Sequence, residues 1–152
     1  MKLHDDPEAL RNQGQEQFRL DGWVDTAPFE QLIGLQIESS EAGRAVLTLP
    51  FRVKLANGGG VMHGGAMVTL ADTAVAMAIK SLLPAGTIFA TTELLTQFMA
   101  PVLSGLVTAE AEVTGSQGRT FYGQAQLVGE QGQVFARFSS TFRVARGQGY
   151  ED

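Results

Sequence analysis

Residues 66–83 read AMVTLADTAVAMAIKSLL, with no proline or glycine until Pro84. An unbroken run of helix-compatible residues at this length predicts one long helix. Its apolar members (Met67, Val68, Leu70, Ala71, Ala74, Val75, Ala76, Met77, Ala78, Ile79, Leu82 and Leu83) cover nearly the whole circumference rather than a stripe. A helix of that kind is buried on most sides, so the rest of the chain has to wrap around it.

The flanking sequence supplies the wrapping. Before the helix, residues 35–38 and 44–51 alternate apolar and polar on either side of the turn Glu41-Ala42-Gly43, which predicts a β-hairpin. After it, four more strands are predicted at residues 87–98, 107–114, 119–128 and 133–145. Pro101 and the turn quartets Gly115-Ser116-Gln117-Gly118 and Gly129-Glu130-Gln131-Gly132 separate them, and the last three form an antiparallel meander. Six strands with one long helix inserted after the second leave too few helices for a parallel α/β sheet. The expected fold class is α+β, a curved antiparallel sheet of about six strands wrapped around one central helix.

Two shorter helices are predicted ahead of this core. Asp6 caps a first one, with Pro7 in its opening turn and Leu10, Gly14 and Phe18 on one face; residues 28–32 form a second, closed by Gly34. The expected organisation is a single domain: an N-terminal helical extension at 1–27, a core at 28–145, and a loose tail at 146–152 that carries Gly147 and Gly149.

Composition narrows the function. With 44% apolar and 18% charged residues, a chain of 152 residues has the material for one hydrophobic core. Eleven Lys and Arg against 16 Asp and Glu leave a net charge of −5, with no overall positive field to hold a nucleic-acid backbone. The absence of cysteine excludes disulfides, iron–sulfur clusters and thiol catalysis; two distant histidines, His4 and His63, do not make a zinc site. The opening residues are too polar for a secretory signal and too acidic for a transit peptide. Residues 54–72, the longest weakly charged stretch, carry Asn57, His63 and five glycines, which excludes a membrane span. The expectation is a soluble cytoplasmic protein with neither nucleic acid nor membrane as partner.

The chemistry concentrates at the helix entrance, Asn57-Gly58-Gly59-Gly60-Val61-Met62-His63-Gly64-Gly65, and at Asp72-Thr73 downstream. Glycines at a helix start let a ligand approach free backbone N–H groups, where the helix dipole favours developing negative charge; an oxyanion hole is built this way. Asp72, among Leu70, Ala71, Ala74 and Val75, is a carboxylate in an apolar segment. It is either bonded to a neighbouring loop or kept from water as a nucleophile or general base. His63 either bonds the loop at the helix entrance or contacts substrate, and Thr91 and Thr92 are by default ordinary strand formers. No Gly-Lys-Ser/Thr follows the glycines and no strand–turn–helix fingerprint surrounds them, so neither a phosphate loop nor a dinucleotide site is expected.

Gly64 and Asp72 are eight residues apart, roughly 12 Å along a helix, whereas attack on a carbonyl needs donors and carboxylate within about 3–3.5 Å of the reacting group. If both act on one substrate, Gly64 of one subunit must meet Asp72 of another across a two-fold axis.

At these residues the sequence resembles the hotdog-fold acyl-CoA thioesterases, in the branch similar to the phenylacetate-pathway (PaaI-like) enzymes. The resemblance covers roughly residues 28–144. It rests on Asn57-Gly58, His63-Gly64-Gly65, Leu70-Ala71-Asp72-Thr73 and Thr91-Thr92-Glu93-Leu94, and more weakly on Phe98 and Pro101. It implies hydrolysis of an acyl or aryl-acyl thioester, with Asp72 attacking the thioester carbon or activating water and the Gly64 N–H binding the oxyanion. Asn57 and His63 match polar residues that orient thioester and water, and Thr91 matches a position that helps place the water. Gly65 and Thr92 are expected to line the substrate site.

No metal or redox cofactor is expected, coenzyme A entering only as part of the substrate. Self-association as a homodimer or a dimer-of-dimers tetramer is implied. Arg119, Arg137, Arg143 and Arg146 are the cations available for the coenzyme phosphates. The rival readings are a hotdog hydratase acting on enoyl or hydroxyacyl thioesters through His63, and a non-catalytic acyl-CoA-binding sensor.

Overall fold

The computed structural model of the chain describes residues 26–152. The helix expected from Asp6 onward lies outside the described residues. Within them the chain runs α1 (Pro28–Ile33), β1 (Gln36–Glu41), β2 (Arg44–Pro50), a single 3-10 turn (Val53–Leu55), α2 (Gly64–Lys80), β3 (Phe89–Phe98), β4 (Leu106–Gln117), β5 (Thr120–Val128) and β6 (Val134–Val144). The strands form one sheet in the order β1-β2-β4-β5-β6-β3, antiparallel at every step. This is the α+β architecture expected, with β4-β5-β6 as the meander and β3 on the far edge.

Strand alternation decides which residues meet the helix. Leu47, Leu49, Val107, Ala109, Leu127, Phe138 and Phe142 on one face of the sheet are buried in one core with Leu70, Ala74, Val75, Ala78 and Ile79 of α2. At Gly123 the helix comes so close to β5 that an added Cβ would overlap Val75 Cγ1. The sheet curves around α2 with irregularities in register at Ile37/Ser39, Thr91/Glu93, Val113/Gly115 and Leu127/Val128. Among the described residues no helix is long and apolar enough to cross a membrane.

Two details differ from the sequence reading. The long helix begins at Gly64 rather than Ala66 and ends at Lys80 rather than Leu83. His63 is the reason for the early start: its Nδ1 accepts the Gly65 N–H at 2.9 Å, a cap strong enough to carry two glycines into the first turn. At the other end the Ser81 hydroxyl donates to the Ala78 carbonyl at 2.6 Å and accepts the Gly43 N–H at 2.8 Å, tying the helix terminus to the β1–β2 turn.

The second correction concerns residues 146–152, which are held rather than loose. Arg119 and Arg143 both donate to Asp152, the Tyr150 ring meets Phe121 edge-on at 6.0 Å, and Gln148 Oε1 accepts the Ile88 N–H at 3.2 Å. The physical cause is Arg119, buried at the β4–β5 turn and in need of a counter-charge.

Candidate active site

The helix entrance is built by backbone bonds. Asn57 Oδ1 accepts the N–H groups of Gly59 at 2.8 Å and Val61 at 3.3 Å, and its own N–H donates to the Val61 carbonyl at 2.8 Å. Gly60 turns the chain with φ 86°. Met62 then donates to the Val102 carbonyl at 2.9 Å and His63 to the Leu55 carbonyl at 2.7 Å, which fixes where α2 begins. The oxygen of Asn57 is therefore engaged in holding the loop.

His63 has the loop-bonding role. Because Nδ1 accepts from Gly65, the neutral ring carries its proton on Nε2, and the side chain is exposed. A Cβ on Gly65 would lie 3.0 Å from His63 Nδ1, so any larger residue there crowds this cap. The Gly65 N–H is thus consumed, whereas the Gly64 N–H has no acceptor among the described residues. It is the open donor at the positive end of a 17-residue helix. The Phe98 ring packs against Gly64 on its Cα side: a Cβ there would stand 3.2 Å from Phe98 Cζ. Beside it lies an apolar cavity of about 400 Å³, lined by Val61, Met62, Gly64, Met67 and residues 98–101.

Asp72 is half-buried on α2. Thr91 Oγ1 donates to its carboxylate, 2.9 Å from Oδ1 and 3.2 Å from Oδ2. Burial pushes the Asp72 carboxyl above the usual carboxylate range, and the Thr91 hydrogen bond pulls against that rise. Of the two threonines only Thr91 reaches the carboxylate. Thr92 is the extra residue of a β-bulge, exposed, its hydroxyl donating to the Thr141 carbonyl at 3.2 Å. The bulge changes the parity of β3, so that Thr91 before it and Leu94, Thr96 and Phe98 after it all share the register of the helix-facing residues of β6.

Phe98 as the neighbour of Gly64 is therefore not readable from period-two alternation, which places it on the opposite face from Thr91. Two further hydroxyls escape the sequence reading, the buried Oγ1 of Thr96 and Oγ of Ser140, neither with a hydrogen-bond partner among the described residues.

Gly64 and Asp72 stand on the same helix, about 12 Å apart at 1.5 Å per residue. Of the four arginines available for phosphates, Arg119 and Arg143 converge on Asp152, whose carboxyl they hold below the usual range, the Arg119 hydrogen bond contributing most. Arg137 is exposed on β6. Among the described residues no group of three His, Asp or Glu side chains is gathered for a metal ion.

The thioesterase superfamily model matches residues 59–136. A Halobacterium salinarum protein carrying the name of an esterase is 32% identical over 99 residues, 62% of this chain and 65% of that one, just under two thirds of its length. The 1,4-dihydroxy-2-naphthoyl-CoA hydrolase of Listeria monocytogenes is 38% identical over 84 residues, 55% of this chain and 68% of its own. The acyl-coenzyme A thioesterase PaaI of Escherichia coli is 33% identical over 107 residues, 70% of this chain and 74% of its own. The solved structure of the E. coli PaaI protein, from the phenylacetic acid degradation operon, superposes with a TM-score of 0.74 at 27% identity, covering 82% of this chain and 88% of that one. With the family model matching just over half of the chain and this fold around the matched residues, the chain belongs to the thioesterase superfamily, in its PaaI-like, hotdog-fold group.

Proposed function

We propose that this chain is an acyl-CoA thioesterase, hydrolysing an acyl- or aryl-acyl-CoA thioester to the free acid and coenzyme A in a site shared between two subunits. The observation that carries the reading is the pairing, on one helix, of an open Gly64 N–H with a desolvated Asp72 carboxylate too far away to serve the same carbonyl. The thioester oxygen takes the Gly64 N–H of one protomer, where the helix dipole stabilises the developing oxyanion. Asp72 of the partner subunit either attacks the carbonyl carbon, expelling the thiolate of coenzyme A and leaving an anhydride that water then hydrolyses to the free acid, or takes a proton from a water that attacks the carbon directly, with the same thiolate leaving. Burial makes this carboxylate a stronger base than a solvated one, and the Thr91 hydroxyl orients it. His63 presents Nε2–H at the helix entrance, and no metal or redox cofactor enters the scheme.

Self-association is part of the same reading. β3 is an edge strand, and Leu94, Leu95, Phe98 and Met99 are exposed along it and just beyond its end. An unpaired apolar edge favours pairing with a second copy, giving a homodimer or a tetramer of two dimers. The names of the Listeria and E. coli relatives, one for an aryl thioester and one for acyl-coenzyme A, support the substrate class.

The test is free-thiol release from a panel of aliphatic and aromatic acyl-CoAs by wild type and Asp72→Asn at equal folded concentration. Release by wild type that falls by about a hundredfold or more in the variant is the expected result. Near-wild-type turnover by Asp72→Asn would remove Asp72 from the mechanism; no release from any member would remove the activity.

A further inference from the structure

The β4–β5 turn, together with β6 and the segment after it, holds a charge cluster that the proposed chemistry does not use. Arg119 is the only buried charged residue among those described, its side chain 9% exposed. Its NH1 donates to the Val144 carbonyl at 2.9 Å, while Nε, at 2.7 Å, and NH2 both point to Asp152 Oδ1. Arg143 NH2 donates to that same oxygen at 2.7 Å. Three guanidinium donors thus converge on a single carboxylate oxygen, and Arg146 adds its positive charge to the field at this point.

We propose that Arg119 and Arg143 form a phosphate-binding site, occupied in this structure by the chain's own Asp152, and that residues 146–152 are a strap which a phosphorylated ligand displaces. The donor geometry supports this. A tetrahedral phosphate offers a separate oxygen to each donor and carries more charge than one carboxylate, so it satisfies the cluster better than Asp152 does. The strap is held by a few contacts, and the ionic one at Asp152 lies open to solvent. Asp152 is 60% exposed, which screens its ion pairs, and Gly147 and Gly149 turn the segment at φ 78° and 85°. Arg119 cannot go without an anion, because a buried guanidinium left unpaired is costly. Displacement of Asp152 therefore exchanges one anion for another instead of opening an empty site.

The cluster adjoins the candidate active site through the sheet: Arg143 pairs with Ala90, the neighbour of Thr91. On the reading above, the phosphates are those of coenzyme A, and this part of the inference rests on that reading. The site itself does not, since free phosphates share the same chemistry.

Inorganic pyrophosphate titrated calorimetrically into wild type, Asp152→Ala and Asp152→Ala/Arg143→Ala decides the matter. A strap closed nine-tenths of the time weakens binding about tenfold, so Asp152→Ala is expected to bind pyrophosphate about tenfold more tightly, and the double variant to lose the gain. Equal affinities in wild type and Asp152→Ala, or a gain that survives Arg143→Ala, would overturn the proposal. The second arm compares KM for an acyl-CoA with KM for the same acyl group on N-acetylcysteamine, which has no phosphate. A severalfold fall in Asp152→Ala for the acyl-CoA alone identifies the coenzyme as the ligand; unchanged KM values beside tighter pyrophosphate binding identify free phosphate instead. If neither thioester is turned over, the thioesterase reading falls, and the pyrophosphate titration still decides the strap.

Discussion

Asp72 is held between two opposed influences, burial that raises its pKa and the Thr91 hydroxyl that lowers it. Thr91→Val removes the second and leaves the first. The acid limb of the kcat/KM profile is then expected to move to higher pH, because the carboxylate must be ionised to act, while Thr91→Ser restores the wild-type limb; a profile indifferent to Thr91→Val would contradict the positioning role. The same shift has a consequence for stability. A carboxyl whose pKa is raised on folding binds its proton more tightly in the native state, so stability falls as pH rises from the usual carboxylate range through the raised value. Asp72→Asn has no such proton to lose. Its melting temperature is expected to be no lower than that of wild type at neutral pH and to lack that part of the pH dependence, which thermal melts at several pH values would show. The sequence located this residue because a carboxylate among Leu70, Ala71, Ala74 and Val75 is conspicuous. From the residues alone its partner Thr91 is not distinguishable from Thr92, since a bulge leaves no mark in a Thr-Thr pair; only the family resemblance sets Thr91 apart.

At the scale of elements, the contact between α2 and β5 depends on the missing side chain of Gly123. A Cβ there would overlap Val75 Cγ1 and stand 3.3 Å from the Glu112 carbonyl. Gly123→Ala is expected to destabilise the protein by about 1–3 kcal/mol, and Val75→Ala in the same chain to recover part of that loss, as denaturant unfolding would measure. A Gly123→Ala protein as stable as wild type would mean that the helix does not pack so closely. The elements themselves were legible, because strand alternation and an all-round apolar helix follow directly from what each must bury. The helix ends were not. Gly64 and Gly65 have low helix propensity and read as loop, and it took the His63 cap and the backbone ties of residues 62 and 63 to bring them into α2. In the same way Gly147 and Gly149 read as a loose tail, because the buried Arg119 that holds Asp152 is distant in sequence.

For the whole molecule, the roughly 12 Å between Gly64 and Asp72 means that, on the proposed mechanism, a complete site takes two chains. This is testable because the donor at Gly64 is a backbone group that one substitution can delete. Gly64 is the first residue of α2, preceded by His63 in an extended conformation at φ −60° and ψ 133°, and proline is tolerated at such a position. Gly64→Pro therefore removes the N–H while keeping the helix, with Phe98 giving way to the ring. Gly64→Pro and Asp72→Asn should each be inactive alone. Co-expressed in equal amounts, they form mixed dimers in which one of the two sites joins an intact Gly64 to an intact Asp72. Thiol release from an acyl-CoA by the co-expressed pair is the decisive measurement. The shared-site account expects about a quarter of wild-type activity, half of the dimers being mixed with half of their sites intact, and activity no higher than that of either variant alone would contradict it.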